Sequence, residues 1–172
     1  VCCGWMYRTN VEDRGISMID WSTFCLNNPN TRVAFENMCR MLFRHKYLSS
    51  DTVLQMSPNN PGVEVEPVWN QERTHRISFQ SKFFDNRPSY KQIADSVEEI
   101  IAHYSGKIDR VYLYCNKKLS SSSTIYDNAK KKLQGNGIEL LPVCDDEILD
   151  QVREDQIVEH MYFGGIQISS SW

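Results

Sequence analysis

Pro61-Gly62-Val63-Glu64-Val65-Glu66, with Phe79-Gln80-Ser81-Lys82 a short way further on, is the pair of stretches that decides the architecture. Side chains alternate faces along a strand, so Glu64 and Glu66 are expected on one face and Val63 and Val65 on the other. In the second stretch Gln80 and Lys82 project together, while Phe79, Ser81 and Phe83 point the opposite way. If residues 68–76 turn the chain back, the two segments pair as a hairpin and bring Glu64, Gln80 and Lys82 onto one surface. Oxygen ligands then stand beside an ammonium group.

Upstream, Asn28-Pro29-Asn30 is a natural helix start, and apolar residues recur at Val33, Phe35, Met38, Cys39, Met41, Leu42 and Phe43. This spacing predicts a helix over 31–47. Val53, Leu54 and Met56 predict a short strand over 51–57, closed by Pro58-Asn59-Asn60-Pro61-Gly62. Downstream, Asp85-Asn86-Arg87-Pro88-Ser89 breaks the chain. A helix follows with Ile93, Val97, Ile100, Ile101 and Tyr104 on one side, ended by Gly106. Val111-Tyr112-Leu113-Tyr114-Cys115 is continuously apolar, as expected of a central strand covered on both faces.

The hydroxyls of 120–124 supply caps for a helix to about Gln134, then comes a strand over 138–143, then a helix capped by Asp145. The expected class is α/β, a mixed central sheet flanked by helices. Residues 1–20 are expected to form an N-terminal arm, 21–160 the folded domain, and 161–172 the start of a linker or following domain.

A chain of 172 residues fits one domain able to bury a core without disulfides. No apolar run reaches the roughly 20 residues of a membrane helix, and the N-terminus lacks the order of a signal peptide. A soluble, cytoplasmic protein with no membrane partner is the expectation. The six cysteines (Cys2, Cys3, Cys25, Cys39, Cys115, Cys144) show no paired zinc spacing and are read as reduced thiols. His45, His75, His103 and His160 are scattered, which disfavours a histidine-metal centre.

The order of elements, with Phe35-Glu36-Asn37-Met38-Cys39 on the first helix, then Pro61-Gly62-Val63-Glu64-Val65-Glu66-Pro67 and Phe79-Gln80-Ser81-Lys82-Phe83-Phe84, resembles the PD-(D/E)xK nuclease superfamily. More narrowly it is similar to Mrr-type restriction endonucleases and to the N-terminal effector nucleases of bacterial antiviral STAND NTPases. The resemblance spans about residues 20–145 and implies a restriction-endonuclease-like αβββαβ core.

Carried over by position, it implies that Glu64 is the acidic metal ligand, Gln80 the second ligand (usually Asp or Glu), Lys82 the catalytic lysine and Glu36 the helix glutamate. Glu66 ranks below these as a further ligand. It further implies Mg²⁺, with Mn²⁺ able to substitute, and double-stranded DNA as substrate. The context is antiviral or restriction defence, with activation by homo-oligomerisation and with ATPase and sensor domains elsewhere in the parent chain. No GxxxxGK[ST] phosphate loop occurs within these residues.

Divalent ions suit this chemistry because they relieve charge on the phosphate, and carboxylates with an amide carbonyl are suitable hard ligands. A net charge of −3 argues against a free-standing tight DNA binder, although several copies acting together would compensate. Lys117 and Lys118, before the hydroxyl-rich helix start, are the candidate nucleic-acid contacts; a solvated loop is the plainer explanation. For Glu36 the plainer explanation is an ion pair with Arg32 or Arg40 along the helix. The rival function is a catalytically inactive nuclease fold used for oligomerisation or DNA docking.

Overall fold

The computed structural model describes residues 18–56 and 61–164. The expected N-terminal arm and Cys2-Cys3 lie almost wholly outside the described residues, as does most of 161–172. In chain order the elements are α1 (Trp21–Asn27), α2 (Thr31–Tyr47), β1 (Val68–Trp69), β2 (Arg76–Lys82), α3 (Tyr90–Tyr104), β3 (Arg110–Cys115), α4 (Thr124–Gly135), β4 (Glu139–Cys144), α5 (Asp146–Glu154) and α6 (Gln156–Tyr162). The chain is an α/β protein with a four-stranded mixed sheet in the order β1-β2-β3-β4. β1 runs antiparallel to β2; β2, β3 and β4 are parallel. Parallel neighbours need a crossover, which α3 and α4 supply.

Two hydrophobic layers cover the sheet. Phe35, Met38, Leu42 and Phe43 of α2 pack with Phe24 of α1, Ile148 and Val152 of α5 and Val158 of α6 on Phe79, Tyr112 and Tyr114. On the other face Ile93, Val97 and Ile100 of α3 join Ala129 and Leu133 of α4 over Val111, Leu113 and Leu140. Both apolar stripes fall at helical spacing, so the burial follows from the sequence period. β3 lies between β2 and β4 and is apolar on both faces, as its composition predicts.

The region before β2 departs from expectation. Among the described residues of 51–57 there is no strand, and 61–67 is irregular; the antiparallel partner of β2 is reduced to Val68 and Trp69. Gly62 takes a left-handed φ of 76°, and Pro61 and Pro67 bracket the segment without donors for a ladder. Alternation fails with it. Val63 packs with the α3 layer and Val65 with the α2 layer, so the two valines do not share a face. The segment still runs beside β2: the Glu64 N–H donates to the Phe79 carbonyl (2.9 Å), and the buried Ser78 Oγ donates to the Val65 carbonyl (2.7 Å).

Two seven-residue helices, α1 and α6, add to the expected set. The folded core also continues past residue 160, since Tyr162 and Phe163 are buried beside Phe24.

Candidate functional site

β2 is the unusual strand of the sheet. Its α2 side carries Ile77 and Phe79, both fully buried, but its α3 side carries Ser78, Gln80 and Lys82. A strand covered on both faces is normally apolar throughout, and each buried polar group there costs free energy unless partnered.

Glu64 provides much of that partnering. Its Oε1 accepts from the Ser81 N–H (3.0 Å), the Ser81 hydroxyl (2.8 Å) and the Gln80 amide nitrogen (3.3 Å). Ser81 and Gln80 point to opposite faces of β2, so the carboxylate sits at the sheet margin, where the irregular segment leaves β2 without a regular partner. The expected single surface is therefore an edge that both faces reach. Glu64 Oε2 takes no hydrogen bond among the described residues.

Gln80 shows a matching deficit. Its Nε2 faces two acceptors, Glu64 Oε1 and the Ser81 carbonyl (3.4 Å), which fixes the orientation of the amide. Its Oε1 is buried without a partner. An unpartnered buried amide oxygen is open to a water or to a ligand; the Gln151 Oε1 is in the same position. Lys82 is partly buried and makes no direct ion pair or hydrogen bond through its side chain among the described residues. Burial pulls its pKa below the ordinary lysine value, while the charges of Glu64 and of Asp95 on α3 oppose that fall.

Glu36 reaches the same region from α2. Burial and then the nearby charge of Glu64 raise its carboxyl above the usual range; Arg40, one turn on, pulls the other way. The Arg40 guanidinium donates to Glu36 Oε1 and to Asn37 Oδ1, each at 2.7 Å, so the expected i,i+4 pair forms. Arg32 instead pairs with Asp85.

Glu66 is placed differently. Its N–H is bound to the Gln55 carbonyl, and its carboxylate accepts a long bond from the Tyr104 hydroxyl of α3 (3.4 Å), so it is engaged away from the Glu64 cluster of bonds. Lys117 and Lys118 follow β3 at the end of the sheet where Lys82 closes β2; Lys118 pairs loosely with Asp146 (3.5 Å). The Ser123 hydroxyl caps α4 by accepting from the Tyr126 N–H, as the hydroxyl run predicts.

Ser81, Arg40 and Asp95 were not among the expected site residues. The sequence carries no signal for Ser81: only with 61–67 irregular do its N–H and hydroxyl become the natural cradle for a carboxylate at the strand edge. Asp95 is visible only in three dimensions, being a surface helix residue already paired with Lys91.

Among the described residues, no three of the Asp, Glu, His and Cys side chains form a metal-holding group by themselves. The oxygens left without a partner are one carboxylate oxygen of Glu64 and the Gln80 Oε1, on the side of the amide turned away from Glu64; both are hard donors of the type a cation retaining several waters accepts. No protein-family model matches this chain, and no curated protein matches it. Among the described residues no helix is long and apolar enough to cross a membrane.

Proposed function

We propose that this chain is a restriction-endonuclease-like domain of the PD-(D/E)xK type that hydrolyses phosphodiester bonds of double-stranded DNA with Mg²⁺ or Mn²⁺. The observation that carries the reading is the edge of β2: a buried amide oxygen without a partner, a carboxylate with one free oxygen and a desolvated, unpaired lysine. These groups destabilise the fold as they stand. Their presence together is expected where a bound cation and a phosphate complete them.

Glu64 and Gln80 would hold the cation, with Glu36 adding negative potential from α2. When bound, the ion supplies charge relief for the phosphate and a more acidic water. Ser81 fixes Glu64 Oε1 through two bonds and would leave Oε2 for the cation. Lys82, whose pKa burial lowers, would hold the attacking water or offset charge on the phosphate oxygens. Glu66 is left as a support of the α3 contact rather than a ligand. Lys117 and Lys118 would meet the DNA backbone beyond the strand ends.

The defence context, the oligomeric activation and the ATPase and sensor partners belong to the same proposal and rest on the resemblance. The rival reading, a catalytically silent docking fold, draws support from Gln80, an amide where the resembled superfamily usually carries a carboxylate. Plasmid nicking by an oligomerised form with Mg²⁺ or Mn²⁺ decides between them. Glu64→Ala and Lys82→Ala are expected to lose activity by at least about 100-fold; equal nicking by wild type and both variants rejects the site.

A further inference from the structure

We propose that Cys115 and Cys144 form a reactive dithiol at the carboxyl ends of β3 and β4, which a hydroperoxide oxidises to a disulfide. The two residues are direct partners in the register of the parallel pair β3 and β4, so their side chains leave the sheet on the same face. Both join the layer covered by α3 and α4. Neighbouring strands lie about 4.8 Å apart, inside the Cα separation that a disulfide spans. The register therefore puts the two Cα atoms within the span that a disulfide bridges.

Access differs between them in the way a two-step oxidation needs. Cys115 is fully buried, whereas Cys144 is partly exposed and lines a cavity of about 560 Å³ together with Lys118, Tyr126, Lys130 and Asp146. Interaction with Cys144 holds the Cys115 thiol below its ordinary value, while the same interaction and then burial raise Cys144, so access rather than acidity makes Cys144 the first sulfur to meet the oxidant.

The chemistry balances without any group beyond the oxidant. The Cys144 sulfur attacks the distal oxygen of the hydroperoxide, the O–O bond breaks, and the leaving oxygen departs as an alcohol or water with the thiol proton. Cys144 is then a sulfenic acid. The Cys115 sulfur attacks it, the S–O bond breaks, and water leaves with the Cys115 proton. Two thiols are oxidised and one hydroperoxide is reduced.

The test treats the folded chain with hydrogen peroxide, then maps peptides without reduction. A Cys115–Cys144 linked peptide, two hydrogens lighter and restored by dithiothreitol, is the expected result, formed at least tenfold faster than oxidation of the buried Cys39. Accumulation of sulfinic acid on Cys144 with Cys115 still alkylatable, or linkage of either residue to Cys25, overturns the proposal. Two variants guard against misfolding. Cys115→Ala is expected to leave a Cys144 sulfenic acid trappable by dimedone, and Cys144→Ser to leave Cys115 unmodified in the native state. Native-state oxidation of Cys115 at the wild-type rate in Cys144→Ser also overturns it.

Discussion

Glu36 is a carboxyl group whose folded pKa lies above its ordinary value of 4.5, chiefly through burial and then through Glu64. The folded state therefore holds a proton that the unfolded chain releases, and stability falls as pH rises from 4.5 through the raised folded value. Glu36→Gln should flatten that segment of a urea-midpoint profile; an unchanged slope would show that Glu64 and burial do not act on this group. Lys82 carries the opposite perturbation. Its charged form is disfavoured in the fold, and stability gains as pH climbs from its lowered folded pKa towards 10.5. Lys82→Met should accordingly raise the thermal midpoint at neutral pH while removing nicking, the trade expected where a site residue is kept at a cost in stability. A lower midpoint for Lys82→Met would count against a desolvated ammonium.

Among elements, the segment 61–67 decides where Glu64 stands, and Gly62 is its anchor. A Cβ added there would lie 2.5 Å from the Ser96 carbonyl oxygen and 2.8 Å from Ile100 Cγ1, at a backbone φ of 76°. Gly62→Ala should destabilise by about 3 kcal/mol or more, since left-handed strain and a clash with helix backbone add. Thermal denaturation checks this, and a loss below 1 kcal/mol would mean that α3 yields easily at this contact.

The same segment marks where reading by period succeeds and fails. α2, α3 and β3 were legible because their apolar residues repeat over several turns or fill a whole strand. The valines of 61–67 also alternate, but two prolines and a left-handed glycine prevent the pairing that alternation presupposes, and each valine goes to a different layer. α1 and α6 are too short for a period to register. They are held by Trp21, Phe24, Tyr162 and Phe163 in one aromatic cluster, which is long-range information. For the site, the residue types were readable, whereas the role of Ser81 depended on knowing that the carboxylate lies at the strand edge.

Taken whole, the molecule closes its α2-side layer with residues from both ends of the described chain. Trp21 Nε1 donates to Asp145 Oδ1 (2.8 Å), and Asp145 holds a left-handed φ of 51° between β4 and α5. A chain ending at residue 160 would lose Tyr162 and Phe163 from the core. Relative to one ending at 164, it should be less stable by at least about 3–5 kcal/mol, the cost of deleting one buried aromatic, since two are lost. Equal denaturation midpoints would show that α6 only decorates the domain.

The side-chain amides of Asn27 and Asn28 donate to the carbonyls of Phe163 and Tyr162, each at 3.0 Å. The C-terminal end of α1 and the residues that close α6 are thus stitched side by side, and a linker spanning roughly the 10 Å length of α1 would join residue 164 back to the start of the described fold. A circularly permuted version, reopened in the exposed turn at 71–73, should keep its packing. The same adjacency means that cutting the chain just after α1 and just after α6 would free two ends at one place on the surface, so a permutation there would loosen a single patch of the domain.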